Sequence, residues 1–341
     1  MAKKTKVLVT GAGGFIGTHL VTYLKEQGYW VRGVDLKYPE FSESDADEFE
    51  ILDLRRWDNC LQATRGVDEV YGLAADMGGM GFISSNHAQI LHNNILINVH
   101  SVEAAKINGV KRYLFSSSAC IYPEHLQEVE DVTPLKEKDA YPAAPQDAYG
   151  WEKLITERLC ARYYEAFDMK TYIVRFHNVY GPLGTWEGGR EKVPAAFCRK
   201  AAVAKLTGNP EFEIWGDGKQ TRSFCYIDDI TFGLHKLMHS DFHEPINMGR
   251  DRMVSINELA DIVSEIAGIK IQKKHIEGPE GVRGRNSDNT LLEEVLDWSP
   301  KIPLEEGLVN TYQWIEKQVE EKFAREDEDL EKLAHSEVIK G

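Results

Sequence analysis

The sequence predicts an α/β protein, a doubly wound parallel sheet joined to a second, smaller α/β lobe. Short apolar runs alternate with helix-length segments through the first half of the 341 residues, and a glycine-rich turn follows the first run. Beyond Phe176 the pattern changes to glycine-rich, proline-punctuated loops such as Gly181-Pro182-Leu183-Gly184. The runs Lys6 to Thr10, Trp30 to Asp35, Glu69 to Ala74, Arg112 to Ser116 and Thr171 to Phe176 read as strands. Each is separated from the next by enough chain for the crossover that parallel strands require. Helices are expected at Thr18 to Gln27, at Asn93 to Ile107 and Tyr149 to Phe167, neither of which contains proline, and near Pro194 to Leu206. Residues 1–178 and about 222–246 are expected to form the sheet domain, and about 179–221 and 247–322 the second lobe. From Glu316 to Lys332 eight acids and four bases stand among few apolar residues, so a solvated helix end and a loose charged tail over 323–341 are expected.

Forty Lys and Arg against 55 Asp and Glu give a formal net charge of −15. That balance speaks against a general nucleic-acid binder or an anionic-membrane surface protein, while leaving room for a local basic pocket. No run of about 18 apolar residues occurs. Met1-Ala2-Lys3-Lys4 leads directly into Val7-Leu8-Val9 without the apolar core of a signal peptide, so a soluble, cytoplasmic protein is expected. The cysteines, at 60, 120, 160, 198 and 225, are odd in number and never paired as C-x-x-C. They read as reduced thiols, with no disulfide framework and no metal site.

Thr10-Gly11-Ala12-Gly13-Gly14-Phe15-Ile16-Gly17 stands between the first strand and the first helix. Glycines at 11, 14 and 17 permit a tight turn, a close approach to a pyrophosphate and close helix packing, and the helix N-terminus offers free N–H groups to the anion. This is the dinucleotide-binding arrangement of a Rossmann sheet, with Phe15 and Ile16 as further lining candidates. Asp35 closes the second strand, where a carboxylate accepts hydrogen bonds from the adenosine ribose and repels a 2′-phosphate, so NAD is expected over NADP. Asp53 is open to two roles, contact with the adenine amino group or the N-cap of a helix.

Tyr149 and Lys153 are four residues apart, on one face of a predicted helix. A cation near a phenol lowers its pKa, so Tyr149 is the candidate to exchange a proton with an alcohol while Lys153 holds the cofactor ribose. Ser116-Ser117-Ser118 ends the fourth predicted strand at its carboxyl end, where ligands of parallel sheets bind. T-G-x-x-G-x-x-G, the serine-rich strand end and Y-x-x-x-K together resemble the extended short-chain dehydrogenase/reductase family of nucleotide-sugar enzymes. The resemblance covers about residues 5–320, because Trp215 to Phe224 is similar to that family's nucleotide-sugar loop. It implies that Ser118, Tyr149 and Lys153 let NAD oxidise the sugar at C4.

Four longer strings resemble the branch of that family that acts on GDP-mannose and related GDP-hexoses. They are Ala74 to Phe82, Ser118 to Pro123, Gly188 to Lys192 and Gly278 to Asp288. The branch makes GDP-L-galactose by inverting C3 and C5, and GDP-L-gulose by inverting C5 alone. A ketone at C4 acidifies both flanking C–H bonds, so inversion needs one proton-transfer group on each face of the ring. The resemblance assigns Cys120 as base and Lys192 as acid, with the carbon served by each left open. If the segment is extended, Cys120 points the same way as Ser118, two residues earlier. The resemblance also places Arg285, Arg222 and Lys200 at the nucleotide diphosphate or its neighbours, with Gln220 beside them, and Gly78 and Asn178 at the sugar. Glu191 is open to binding the sugar or tuning Lys192. A homodimer paired through the two long helices is the family expectation.

The competing activities are a GDP-fucose-type epimerase-reductase, which uses NADPH and is opposed by Asp35, and a C4 epimerase, which needs no Cys120. A 4,6-dehydratase is opposed by Ala119-Cys120, where an acidic pair is expected. A non-catalytic NAD-binding scaffold is opposed by the intact Ser118, Tyr149 and Lys153.

Overall fold

The computed structural model describes residues 4–324 and 333–335. The strands are β1 Lys6–Thr10, β2 Trp30–Asp35, β3 Glu48–Ile51, β4 Glu69–Gly72, β5 Arg112–Ser118, β6 Lys170–Phe176, β7 Asn178–Tyr180, β8 Glu211–Trp215, β9 Thr221–Tyr226, β10 Pro245–Met248, β11 Met253–Ser255, β12 Gln272–Ile276 and β13 Gly284–Arg285. The helices are α1 Phe15–Glu26, α2 Trp57–Thr64, α3 Met80–Ile83, α4 His87–Ile107, α5 Ala148–Ala166, α6 Val193–Thr207, α7 Ile227–Met238, α8 Ile256–Ala267, α9 Thr290–Leu296 and α10 Leu304–Ala324. Seven strands form one parallel sheet in the order β10-β6-β5-β4-β1-β2-β3. The chain reverses direction across the sheet between β1 and β4, and this opens a crevice at their carboxyl ends.

Alternation along β1 builds the two faces. Val7 and Val9 pack with Leu20, Val21 and Leu24 of α1 and with α7, whereas Leu8 packs with α2, α4 and α5. The five expected strands are all present, with two corrections. Arg112–Ser118 runs two residues further than expected and is the fifth strand in chain order, because Glu48–Ile51 intervenes. That edge strand reads Glu-Phe-Glu-Ile and is partly exposed along its length, so it carries no apolar run to announce it.

The remaining strands form a β11-β9-β13 sheet with β7 on β9, and a β12-β8 pair. The core of α6, α8 and α10 is continuous with that of the large sheet. The tail is corrected where it is described. Leu333 is buried, and Arg199 donates hydrogen bonds to the carbonyls of Leu333 and His335, so this piece returns to the body. The rest of the expected loose tail, 325–332 and 336–341, lies outside the described residues. Among the described residues no helix is long and apolar enough to cross a membrane.

A buried ion pair ties β6 to α5. The Arg175 guanidinium donates to both oxygens of Glu157, at 2.9 and 2.7 Å, and to the Glu137 carbonyl at 2.7 Å; Ser117 of β5 donates to the same Glu157. Both charged side chains are 2% exposed. Removing one partner strands the other charge out of water, so Glu157→Ala should cost roughly 3–5 kcal/mol. The urea midpoint of the variant checks this.

Candidate active site

One cavity of about 840 Å³ opens at the carboxyl ends of the parallel strands and runs beneath the second lobe. All of the residues expected to bind or react line it: Gly11, Gly14, Phe15, Ile16, Gly17, Asp35 and Asp53 at one end, and Ser118, Cys120, Tyr149, Lys153 and Lys192 in the middle. Gly78, Asn178, Glu191, Lys200, Gln220, Arg222 and Arg285 line the remainder.

The glycine turn is built for close approach. Gly11 has φ +72°, and a Cβ on Gly17 would stand 2.0 Å from the Gly11 carbonyl oxygen. Only backbone fits there, leaving the N–H groups that open α1 free to face a phosphate, and no acidic side chain stands in that first turn. Asp35 is held at the end of β2 by the Gly13 N–H at 2.9 Å and the Leu36 N–H at 2.6 Å. A carboxylate retains further acceptor capacity after two bonds, which suits ribose hydroxyls. The cradle and the carboxylate together fit NAD. Asp53 does not cap a helix side chain to backbone, since Arg56 is the N-cap of α2; its carboxylate is instead gripped by Arg55, and this contact lowers its pKa.

Tyr149 enters in the first turn of α5, whose N-cap Asp147 accepts the Gly150 N–H at 2.8 Å. Gly150 permits the close packing, because a Cβ there would lie 2.2 Å from the Cys120 carbonyl oxygen. The phenol's pKa is raised, by burial first and then by the charge of Glu152, and Ser118 acts on it in the opposite sense. This reverses the expected lowering by Lys153. That ammonium is 1% exposed, lies 3.8 Å from Glu152 and is itself pushed down by burial. Glu152 is fully buried and accepts from Asn94 and Asn98 of α4, each at 3.0 Å. Sequence reading missed this network, whose signal was the polar pair spaced one turn apart on α4.

Cys120 is not in an extended segment. Ala119–Ile121 is a 3₁₀ turn whose N-cap is Ser118, the serine oxygen accepting the Cys120 N–H at 3.2 Å. The capping hydroxyl makes the chain turn immediately after β5, and both side chains still reach the cavity. Lys192 is the N-cap of α6, with Pro194 following in the first turn. Its amine makes no hydrogen bond or ion pair among the described residues. Burial lowers its pKa, and the Cys120 thiol acts on it in the opposite sense.

Glu191, expected at the sugar or beside Lys192, lines the cavity, and its Oε2 is buried with no hydrogen-bond partner among the described residues. Its carboxylate turns to Arg199 at 2.8 Å, because that buried guanidinium requires a counter-charge. Lys200 donates to the Glu213 carbonyl at 2.7 Å and is brought by burial to about 8. Arg222 donates from Nη1 and Nη2 to the carbonyls of Thr221, Glu280 and Val282, and burial brings it to about 9. Asn178 donates to the Ser223 carbonyl at 2.9 Å. Gln220 donates to the Trp215 carbonyl at 3.0 Å, while its Oε1 is buried with no hydrogen-bond partner among the described residues. Arg190, which sequence reading quoted only as part of a string, lies 3.8 Å over the Phe82 ring and 3.4 Å from Asp76, latching the Lys192 loop to the Gly78 loop.

The cavity joins a dinucleotide cradle to a nucleotide-sugar-sized pocket. The chain matches the NAD dependent epimerase/dehydratase family over residues 7–249, and it belongs to that family. It is 52% identical over 340 residues to a GDP-mannose 3,5-epimerase of Arabidopsis thaliana, covering 99% of this chain and 89% of that protein. It is 53% identical over 323 residues to GDP-mannose 3,5-epimerase 1 of Oryza sativa subsp. japonica, covering 94% and 84%. The fold matches a UDP-glucose 4-epimerase of Thermotoga maritima, solved with UDP-glucose, with a TM-score of 0.82, 30% identity, and 92% and 100% of the two chains covered. The protein is therefore a nucleotide-sugar epimerase-type enzyme with NAD as its cofactor.

Gly17→Ala places a methyl against the Gly11 carbonyl and should weaken NAD binding about tenfold or more. Titration of NAD against intrinsic tryptophan fluorescence measures it.

Proposed function

We propose that the protein epimerises GDP-mannose at C3 and C5 to GDP-L-galactose, and to GDP-L-gulose where C5 alone inverts. The observation that carries this reading is the convergence of two proton-transfer groups, Cys120 and Lys192, on the cavity that also holds Ser118, Tyr149 and Lys153. The relatives named GDP-mannose 3,5-epimerase support it.

The glycine turn, Asp35, Asp53 and Lys153 hold the cofactor. Bound NAD supplies the hydride acceptor and donor at C4, together with a positive ring that favours an ionised phenol nearby. Tyr149, oriented by Ser118, takes the proton of the C4 hydroxyl and later returns one. The resulting ketone acidifies the hydrogens on C3 and C5. Cys120 removes a proton from carbon on one face, and Lys192 delivers one from the other. An ammonium kept out of water gives up its proton more readily than a free lysine does, which suits an acid working near neutrality. Arg285, Arg222, Lys200 and Gln220 receive the nucleotide diphosphate and its surroundings, and Gly78, Asn178 and the backbone at Glu191 receive the sugar.

On this reading residues 1–178 and about 222–246 hold NAD, and about 179–221 and 247–322 hold the nucleotide sugar. Val99 of α4 and Trp151, Ile155 and Tyr164 of α5 are exposed apolar side chains, and we assign these helices to a homodimer interface. Five free cysteines, four of them buried, suit a reducing cytoplasm.

The test is GDP-mannose with catalytic NAD in heavy water. Deuterium at C5 and C3 without water loss or net NADH is the expected result. A C4 epimer free of deuterium, loss of water, or no change in the sugar nucleotide would each overturn the reading. Cys120→Ser and Lys192→Ala should each lower inversion about a hundredfold or more, in keeping with the loss of a general acid or base, while leaving NAD affinity unchanged. Tyr149→Phe should block the C4 oxidation and with it all label uptake.

A further inference from the structure

The Cys120 sulfur is faced by charge from several elements. Arg222 on β9, Lys192 at the head of α6, Lys153 on α5 and the Tyr149 phenol act on it through space. Arg285 on β13 touches it, donating from Nη1 at 3.3 Å. The guanidinium is itself held by a residue outside the cavity lining. Gln127 is 1% exposed, and its Oε1 accepts from Arg285 Nε at 2.6 Å. Its amide nitrogen donates to the carbonyls of Tyr122 and Pro123, both at 3.2 Å, and its own carbonyl accepts the N–H groups of Arg283 and Gly284. Gln127 thus ties the segment that follows Cys120 to the strand that carries Arg285. A guanidinium is planar, so one acceptor on Nε sets the direction in which the Nη groups point.

We propose that Gln127 is a positioning residue, which fixes the Arg285 guanidinium so that one N–H stabilises negative charge on the Cys120 sulfur. That is the charge the sulfur must carry to act as a base, and it passes to the substrate as the sulfur takes a proton from carbon. The proposal rests on the reading of Cys120 as the base, but the pairing itself can be tested without turnover. Nη2 of Arg285 has no partner among the described residues, so one edge of the guanidinium serves the sulfur and the other remains for a phosphate oxygen.

Iodoacetamide reads the charged sulfur, because the thiolate is the nucleophile. The other four cysteines are buried, so carboxamidomethylation mapped to Cys120 by mass spectrometry reports one site. Gln127→Met fills the same space without the acceptor and should slow this alkylation about tenfold, the scale of a charge-assisted hydrogen bond. Arg285→Lys, which keeps the charge but loses the fork, should slow it to a similar extent. If Gln127 acts through Arg285, the double variant is no slower than Arg285→Lys alone. Alkylation of Gln127→Met at the parent rate or faster overturns the proposal, as do two effects that multiply. Thermal melting and NAD binding establish that each variant is folded. Should Gln127→Met not fold, Gln127→Asn, whose amide is one methylene too short, carries the same expectation. Absence of deuterium uptake by the parent enzyme would sink the epimerase reading and leave the alkylation result standing.

Discussion

The spacing between the carboxyl end of β5 and the first turn of α5 governs everything the site can do. Ser118 and Cys120 come from the first, Tyr149 and Lys153 from the second, and contacts with each other and with β6 and α4 hold the two in place. Glu157 of α5 takes the Arg175 fork and the Ser117 hydroxyl, so β5, β6 and α5 share one buried charge pair. Gly150 lets α5 lie against the Cys120 carbonyl at a distance no side chain allows. Glu152 anchors α5 to Asn94 and Asn98 of α4. A buried ion pair of this kind contributes little net stability against an apolar alternative, but it penalises misplacement heavily. A constellation that acts by the proton transfers proposed above benefits from that penalty.

Desolvation is the second organising constraint. Burial raises the Tyr149 phenol and lowers Lys153, Lys192 and Lys200, so it works against the charged form of each. An anionic nucleotide diphosphate and a positively charged nicotinamide ring restore opposite charges to such a pocket. Gln220 repeats the logic with a single orphaned oxygen.

Much of this was legible in the sequence. The five main strands, the glycine turn and the long helices follow from periodicity and from glycines at fixed offsets, which are local properties. The residues expected at the site all line one cavity, because the carboxyl ends of parallel strands converge. The misses were of other kinds. Glu48–Ile51 pairs only because Trp30–Asp35 offers it an edge, and its own alternation of glutamates says little. Cys120 was expected in an extended run, but a serine cap turned the backbone. Glu191 was open to the sugar or to Lys192, and its pairing through one oxygen with an arginine 8 residues later was not legible in the sequence. Gln127 carried no motif, and its place became visible only in the contact between two segments 158 residues apart.

By itself, the sequence determined the sheet, the glycine turn, the carboxylate that closes the second strand and the titratable side chains available to the cavity. These depend on side-chain chemistry and on spacings of a few residues, which folding does not rewrite. Tertiary structure decided which groups are charged, which carboxylates are already spoken for, and which guanidinium meets the thiol. Those outcomes depend on burial and on partners distant in the chain, since desolvation and electrostatics act through space and not along the sequence.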